Sequence, residues 1–174
     1  MRFGRYTTTG TTFDPLLNDG GPQLQHRSIS NYPPEKLPDS VRSAQFIAPS
    51  AEGLGYLEAV EDQFILGLAS AQQSEGTVSG RPQYNDPPNY FVPSYHHVPN
   101  SSGKYIGRFG RKASAIDLKQ QTANAYRNDI GITSPFNSDD PLNMSNSPLA
   151  GDRVADPEIS GAEVNSVAFY LQTL

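Results

Sequence analysis

The chain has 174 residues with a net charge of −5 and a pI near 5.1, which argues against nucleic acid as a partner, because phosphate binding rewards clustered Lys and Arg. It has no cysteine, which rules out disulfides, thiolate metal sites, cysteine nucleophiles and thioether-linked haem within these residues. Leu, Ile, Val and Phe supply only 37 residues while Gly and Pro supply 15 each, so the chain is lean in core-forming side chains and rich in turns, yet too weakly charged for a self-repelling coil.

The length suits one domain, and no apolar run is long enough to cross a bilayer. The opening "MRFGRYTTTG" has neither the apolar core nor the cleavage site of a signal peptide. An ordered chain with so few aliphatics needs help to bury a core, from a cofactor, a partner domain or a metal.

Residues 1–50 read mostly as loop, and Tyr32-Pro33-Pro34 is extended because each proline pushes its predecessor out of the helical region. Residues 53–71 carry a helical signal, with Leu57, Val60, Phe64, Leu68 and Ala71 spaced by three and four. Glu61-Asp62 offers an alternative start for a second short helix. Residues 74–105 form a long loop of the kind that is usually functional or packed on something. A second helix is expected over 114–128, with Ser114 and Asp117 in a capping-box spacing. Gln120 falls on the same side as Ile116, Ala123 and Ile130, which is odd for a simple core helix. Residues 131–158 read as loop. The last helix is expected over 161–174, opened by Ser160 and Glu163 and striped by Val164, Val167, Ala168 and Leu171. It meets no stop signal, so the chain is expected to continue. The expected fold is therefore mainly α, a single loop-rich domain of about three helices with no paired strands. "RFGR" occurs at 2–5 and at 108–111, too short a match to mark a repeat.

Arg108, Arg111 and Lys112 interleave with Phe109. They read either as a solvated loop or as an anion clamp for a carboxylate, phosphate or haem propionate, to which a helix opening at Ser114 would add its N-terminal amides. His26, His96 and His97 are the only imidazoles; a three-histidine metal site competes with the plainer reading of loop histidines. Met144 is a candidate axial ligand for haem iron or a packing residue, and His26 is a second axial candidate. Asp139, Asp140, Asp152 and Asp156 could supply oxygens to calcium but lack the spacing of a calcium loop, and read more simply as solvated carboxylates. No phosphate-binding glycine motif or nucleophilic triad is visible, so no catalytic residue is assigned.

The segments "APSAEGLGYLEAVEDQFILGLA", "GTVSGRPQYN" and "GKYIGRFGRKASAIDLKQQTANAYRNDIGITSPF" together resemble the di-haem oxidoreductase family, thiol-oxidoreductase-like di-haem cytochromes distantly related to the bacterial di-haem cytochrome c peroxidases. "FDPLLNDGGPQLQHRSI" and "VAFYLQTL" fit the same family, so the resemblance runs over nearly the whole chain. Its most specific part is RFG-x-KA, then Gln, then A-x-x-x-D-x-GIT. Family members attach two c-type haems through Cys-x-x-Cys-His, and this chain has neither motif, so it looks like a cytochrome c-like fragment lying between the two attachment sites. Many members have Trp where Arg111 stands, and an arginine cannot relay electrons as an indole does. The resemblance implies a periplasmic setting, two haems c in the parent protein, haem-bearing flanking segments and a redox partner protein as partners, and electron transfer or peroxidase-like reduction. It places Arg108 or Lys112 near propionates, Phe109 in the pocket, and Gln120 or Gln121 as amide donors on the distal side. Two other readings stand beside it: a non-catalytic scaffold or binding module that has lost its haem-bearing flanks, and a tyrosine-built carbohydrate- or surface-binding domain.

Overall fold

Phe3 and the chain around it form a strand only because distant segments pair with it. In the computed structural model, which describes residues 2–7, 9–16, 21–24, 27–28, 33–37, 39–141 and 154–174, strand β1 (Arg2–Tyr6) is flanked antiparallel by β2 (Phe13–Asp14) and β3 (Arg42–Ala44). Cross-strand pairs hold the register: Tyr6 meets Phe13 edge-on at 5.4 Å, and Arg5 meets Asp14 at 3.6 Å. Gly4 sits where a Cβ would lie 2.7 Å from the Asp14 carbonyl oxygen and would also press on the Phe13 ring, so the strand pairing needs glycine there. Chain contacts divide the molecule into two units, Met1–Ile47 with Asn124–Ser160, and Ala48–Ala123 with Gly161–Leu174. The three-stranded sheet belongs to the first.

The second unit contains α1 (Leu54–Ala59), α2 (Asp62–Glu75), a two-stranded sheet of β4 (Tyr84–Asn85) and β5 (Tyr105–Ile106), and α4 (Gly161–Thr173). Its core is Phe109, Ala115 and Leu118, with Leu54 and Leu171 packed against them. Helix α3 (Leu118–Ile130) starts in this unit, and its last turns belong to the first. It ends at Gly131, whose left-handed φ of 71° turns the chain. The amides of Gly131 and Ile132 then bond back to the carbonyls of Arg127 and Tyr126 at 3.2 and 3.0 Å.

The fold is mixed α/β rather than mainly α: the described residues form four helices, which cover 31% of them, and five strands in two small antiparallel sheets. The strands are two to five residues long, too short to show a period of two, and they exist through long-range pairing. The helix expected over 53–71 is two helices. Val60 leaves the helical region at φ −66° and ψ 126°, and α2 restarts at Asp62 on its own register. The break spoils the expected apolar stripe: Phe64 and Leu68 are 62% and 48% exposed, and the buried residue of α2 is Asp62. The C-terminal stripe holds, with Val164 and Ala168 buried and Leu171 against the core.

Helices α1 and α4 cross at close range because Gly55 has no side chain, a Cβ at this position falling 1.9 Å from the carbonyl oxygen of Gln172. Gly55→Ala therefore lowers stability by about 1–3 kcal/mol, the usual cost of overpacking. Gly67→Ala, whose Cβ meets nothing within 4 Å in the interior of α2, raises it by about 0.5–1 kcal/mol. Urea denaturation of both variants checks the contrast.

Candidate functional site

The sequence 107–115 folds back on itself as a tight loop. Arg108 and Phe109 both donate backbone N–H to the Ala115 carbonyl, at 2.8 and 3.1 Å, and the Phe109 carbonyl accepts from Ser114 at 3.0 Å. Gly107 permits the closure: a Cβ there would stand 1.9 Å from the Ala113 carbonyl, which instead accepts from Asn85 Nδ2 at 2.7 Å. Phe109 is thereby driven into the core, and Arg108, on the opposite side of the chain, points at the start of α2.

Asp62 waits there. Its Oδ1 accepts from Arg108 Nη2 at 2.7 Å, its Oδ2 from the Val98 amide at 2.7 Å, and its own amide donates to the His96 carbonyl at 3.0 Å. Arg108 Nη2 also donates to the Val60 carbonyl at 2.6 Å, one of the groups freed where the helix breaks. The pair is fully desolvated, with side-chain exposures of 1% and 0%. One carboxylate thus ties three separate segments together: the start of α2, the loop 96–98 and the Arg108 turn.

The loop so held carries His97. The Ser94 amide donates to His97 Nδ1 at 3.1 Å, so in the neutral ring the proton sits on Nε2. Burial lowers the His97 pKa below its ordinary 6.5, and the Arg108 charge lowers it further, against the opposing pull of Asp62 and Asp117. Phe91 and Tyr105 meet the ring edge-on at 5.1 and 6.2 Å. Four polar nitrogens here are buried with no hydrogen-bond partner among the described residues: Arg108 Nε and Nη1, His97 Nε2 and His96 Nδ1.

Asp117 stands at the head of α3. Its Oδ1 accepts from the Gln120 amide at 2.7 Å, while Gln120 Oε1 reaches back to the Ile116 amide at 2.7 Å. Glu58 Oε1 accepts from the Leu118 amide at 2.7 Å, and its Oε2 from Gln172 Nε2 at 2.6 Å. Burial raises the Asp117 pKa; the bond from Gln120 opposes that, and the Glu58 charge adds to it. Burial, and behind it the Asp117 charge, push the Tyr90 phenol from 10.0 up to about 12. Lys119 lies over the Tyr90 ring at 5.4 Å.

Measured against the sequence, Arg108 stands at the centre of this site and Phe109 beneath it in the core. Lys112 lies on the surface. Gln120 is polar on an apolar side because it caps the helix. Gln121 is half-buried, its Oε1 3.7 Å from where a Gly110 Cβ would stand. The helix opens at Leu118 rather than at Ser114, and its Leu118 and Gln120 amides are taken by Glu58 and Asp117, so they are not offered to an anion. His26, Met144 and Asp152 lie outside the described residues. Of the acidic loop residues, Asp140 and Asp156 come together with Glu158, all three exposed. Thr133 already donates its hydroxyl to Asp156 and its amide to Glu158. Sequence reasoning missed Asp62, Glu58 and His97 as members of one site. The signal available was a carboxylate at a helix restart, followed 34 and 46 residues later by the "HH" and "RFG" segments it binds.

The family described as "Di-haem oxidoreductase, putative peroxidase" matches residues 23–174, a span that contains this entire site. The chain belongs to the di-haem oxidoreductase family. No curated protein and no solved structure matches it. Among the described residues no helix is long and apolar enough to cross a membrane.

Asp62→Ala strands a buried guanidinium and lowers stability by about 3–5 kcal/mol, whereas the double variant Asp62→Leu/Arg108→Met, which removes both charges, recovers most of the loss; urea denaturation of the two separates them. His97 adds a pH dependence of known sign. Its folded-state pKa lies below the unfolded 6.5, so the folded chain binds fewer protons between those values. The stability this group contributes is complete above about pH 6.5 and is lost as pH falls through the folded value. His97→Gln flattens that acid-side slope in denaturation curves taken across the window.

Proposed function

We propose that this chain forms the haem-contacting part of a periplasmic di-haem c-type oxidoreductase acting in electron transfer or peroxidase-like reduction. Family membership supports the two-haem reading. The observation that carries the geometry is Arg108: Asp62 and Val60 hold it through Nη2, while Nε and Nη1 remain buried donors with no hydrogen-bond partner among the described residues. A propionate oxygen fits such a donor, forming a charge-assisted hydrogen bond with a group that is always protonated.

Covalent attachment does not fit these residues, because thioether bonds need cysteine and the chain has none. In this reading the haem-bearing segments lie outside residues 1–174 and dock against the site, and a redox partner protein supplies or accepts electrons. Haem iron supplies the redox chemistry when bound, its potential tuned by ligands and surroundings. The protein's own part is positioning. Asp62 sets the guanidinium plane before any ligand arrives, so little side-chain entropy is lost on binding. Phe109 and Leu118 support the Arg108 turn from the core side.

The test is to express the chain with the coding sequence on both sides in a host that matures c-type cytochromes. The expected product keeps its Soret absorbance and haem stain on the polypeptide through denaturing electrophoresis. A product that carries no covalent haem overturns the proposal.

A further inference from the structure

We infer that the outer face of α2 is a docking site for a helix of a different chain, one with a bulky apolar side chain at its centre and Lys or Arg at both ends. Helix α2 has two faces. On the inner one Asp62 is buried, and Ile65, Leu66, Ala69 and Gln72 are half-buried. On the outer one Phe64, Gly67, Leu68 and Ala71 recur at helical spacing, and all four are exposed. Among the described residues, the extensive contacts between elements of this unit join α1 to α4 and β4 to β5, and they leave the outer face of α2 to solvent. Single exposed apolar side chains need no explanation, but a continuous stripe of them marks an interaction surface.

The stripe has a shape that suits a helix. Residues spaced like Phe64, Gly67, Leu68 and Ala71 are the four that form the hole for one side chain of a facing helix. Gly67 adds nothing to fill that hole, and a Cβ placed on it would meet no atom within 4 Å. The hole is therefore deep, with Phe64 and Leu68 as its larger walls, and takes a bulky apolar side chain.

Charge complementarity selects the occupant. Glu75 continues the same face four residues beyond Ala71, and Glu61 stands three residues before Phe64; both are exposed. The two carboxylates lie about 20 Å apart along the helix axis. No Lys or Arg occurs from Ser43 to Gly80 to offset them. A second copy of α2 would set carboxylate against carboxylate, Glu61 facing Glu75 if antiparallel and each facing its own equivalent if parallel. A helix with basic ends pairs with both instead. Exposed ion pairs add little affinity, so the apolar hole supplies most of the binding while the charges choose partner and register. This site is independent of the haem reading.

The experiment uses the 174-residue chain and a fluorescent synthetic helix of about 18 residues, with a leucine stripe and lysines at both ends. Anisotropy at low salt follows binding. One control peptide has the same composition with its leucines dispersed, and another has glutamates in place of the lysines. The first peptide is expected to bind saturably, and each control about tenfold more weakly, the equivalent of roughly 1.4 kcal/mol. Gly67→Leu fills the hole from a position with open space around it, so it folds as the parent does by circular dichroism and weakens the lysine peptide about tenfold. Glu61→Lys/Glu75→Lys reverses the preference between the lysine and glutamate peptides. Equal binding of the striped and dispersed peptides overturns the inference, as does unchanged affinity in Gly67→Leu. Self-association in sedimentation velocity that Gly67→Leu abolishes also overturns it, by making a second copy the occupant.

Discussion

The buried ion pair between Asp62 and Arg108 is the constraint around which the second unit is arranged. Two opposite charges removed from water are stable only if their remaining hydrogen-bonding capacity is met. Here the carboxylate is fully used, by an arginine and a backbone amide, while its own amide is bonded to a carbonyl. The arginine is only partly used. That asymmetry makes Asp62 the saturated half of the pair and Arg108 the unsaturated half. It also explains the broken helix. The bend at Val60 releases a carbonyl to Arg108 and lets α2 begin with Asp62 facing inward, at the cost of leaving Phe64 and Leu68 in solvent.

The polar face at the start of α3 has a related cause. A helix end presents amides with no partner inside the helix. In this molecule Glu58 takes the Leu118 amide, Asp117 takes that of Gln120, and the Gln120 side chain returns to Ile116. Glu58 also accepts from Gln172, so its carboxylate connects α1, α3 and α4 through polar bonds where aliphatic side chains are scarce. A chain lean in apolar residues here uses buried and half-buried carboxylates as junctions between elements.

The repeated tetrapeptide shows how far local sequence falls short of deciding environment. In the first unit "RFGR" is a strand whose Arg5 makes a half-exposed pair with Asp14. In the second it is a turn whose Arg108 side chain is 1% exposed against Asp62. The glycine serves a close approach of the Phe13 ring in one copy and a left-handed φ of 76° in the other. Nothing within the four residues distinguishes the two outcomes, which depend on the carboxylate that the rest of the chain brings up.

Sequence alone determined the family resemblance, the absence of thioether chemistry, the C-terminal helix and its buried stripe, and Arg108 as a cation of interest, because these depend on residue identity or on spacing within one helix. It did not reveal the five strands, whose pairing partners lie up to 42 residues away in the chain, and it offered the α1–α2 break at Glu61-Asp62 only as an alternative. Nor did it show that Gln120 is a cap rather than a free amide donor. Only the tertiary structure placed Asp62 between the 96–98 loop and Arg108, since a hydrogen bond across 46 residues follows from the path of the whole chain. The physical reason is one of range: side-chain periodicity and capping act within a turn or two, whereas desolvating a charge requires partners that are close in space, whatever their distance in sequence.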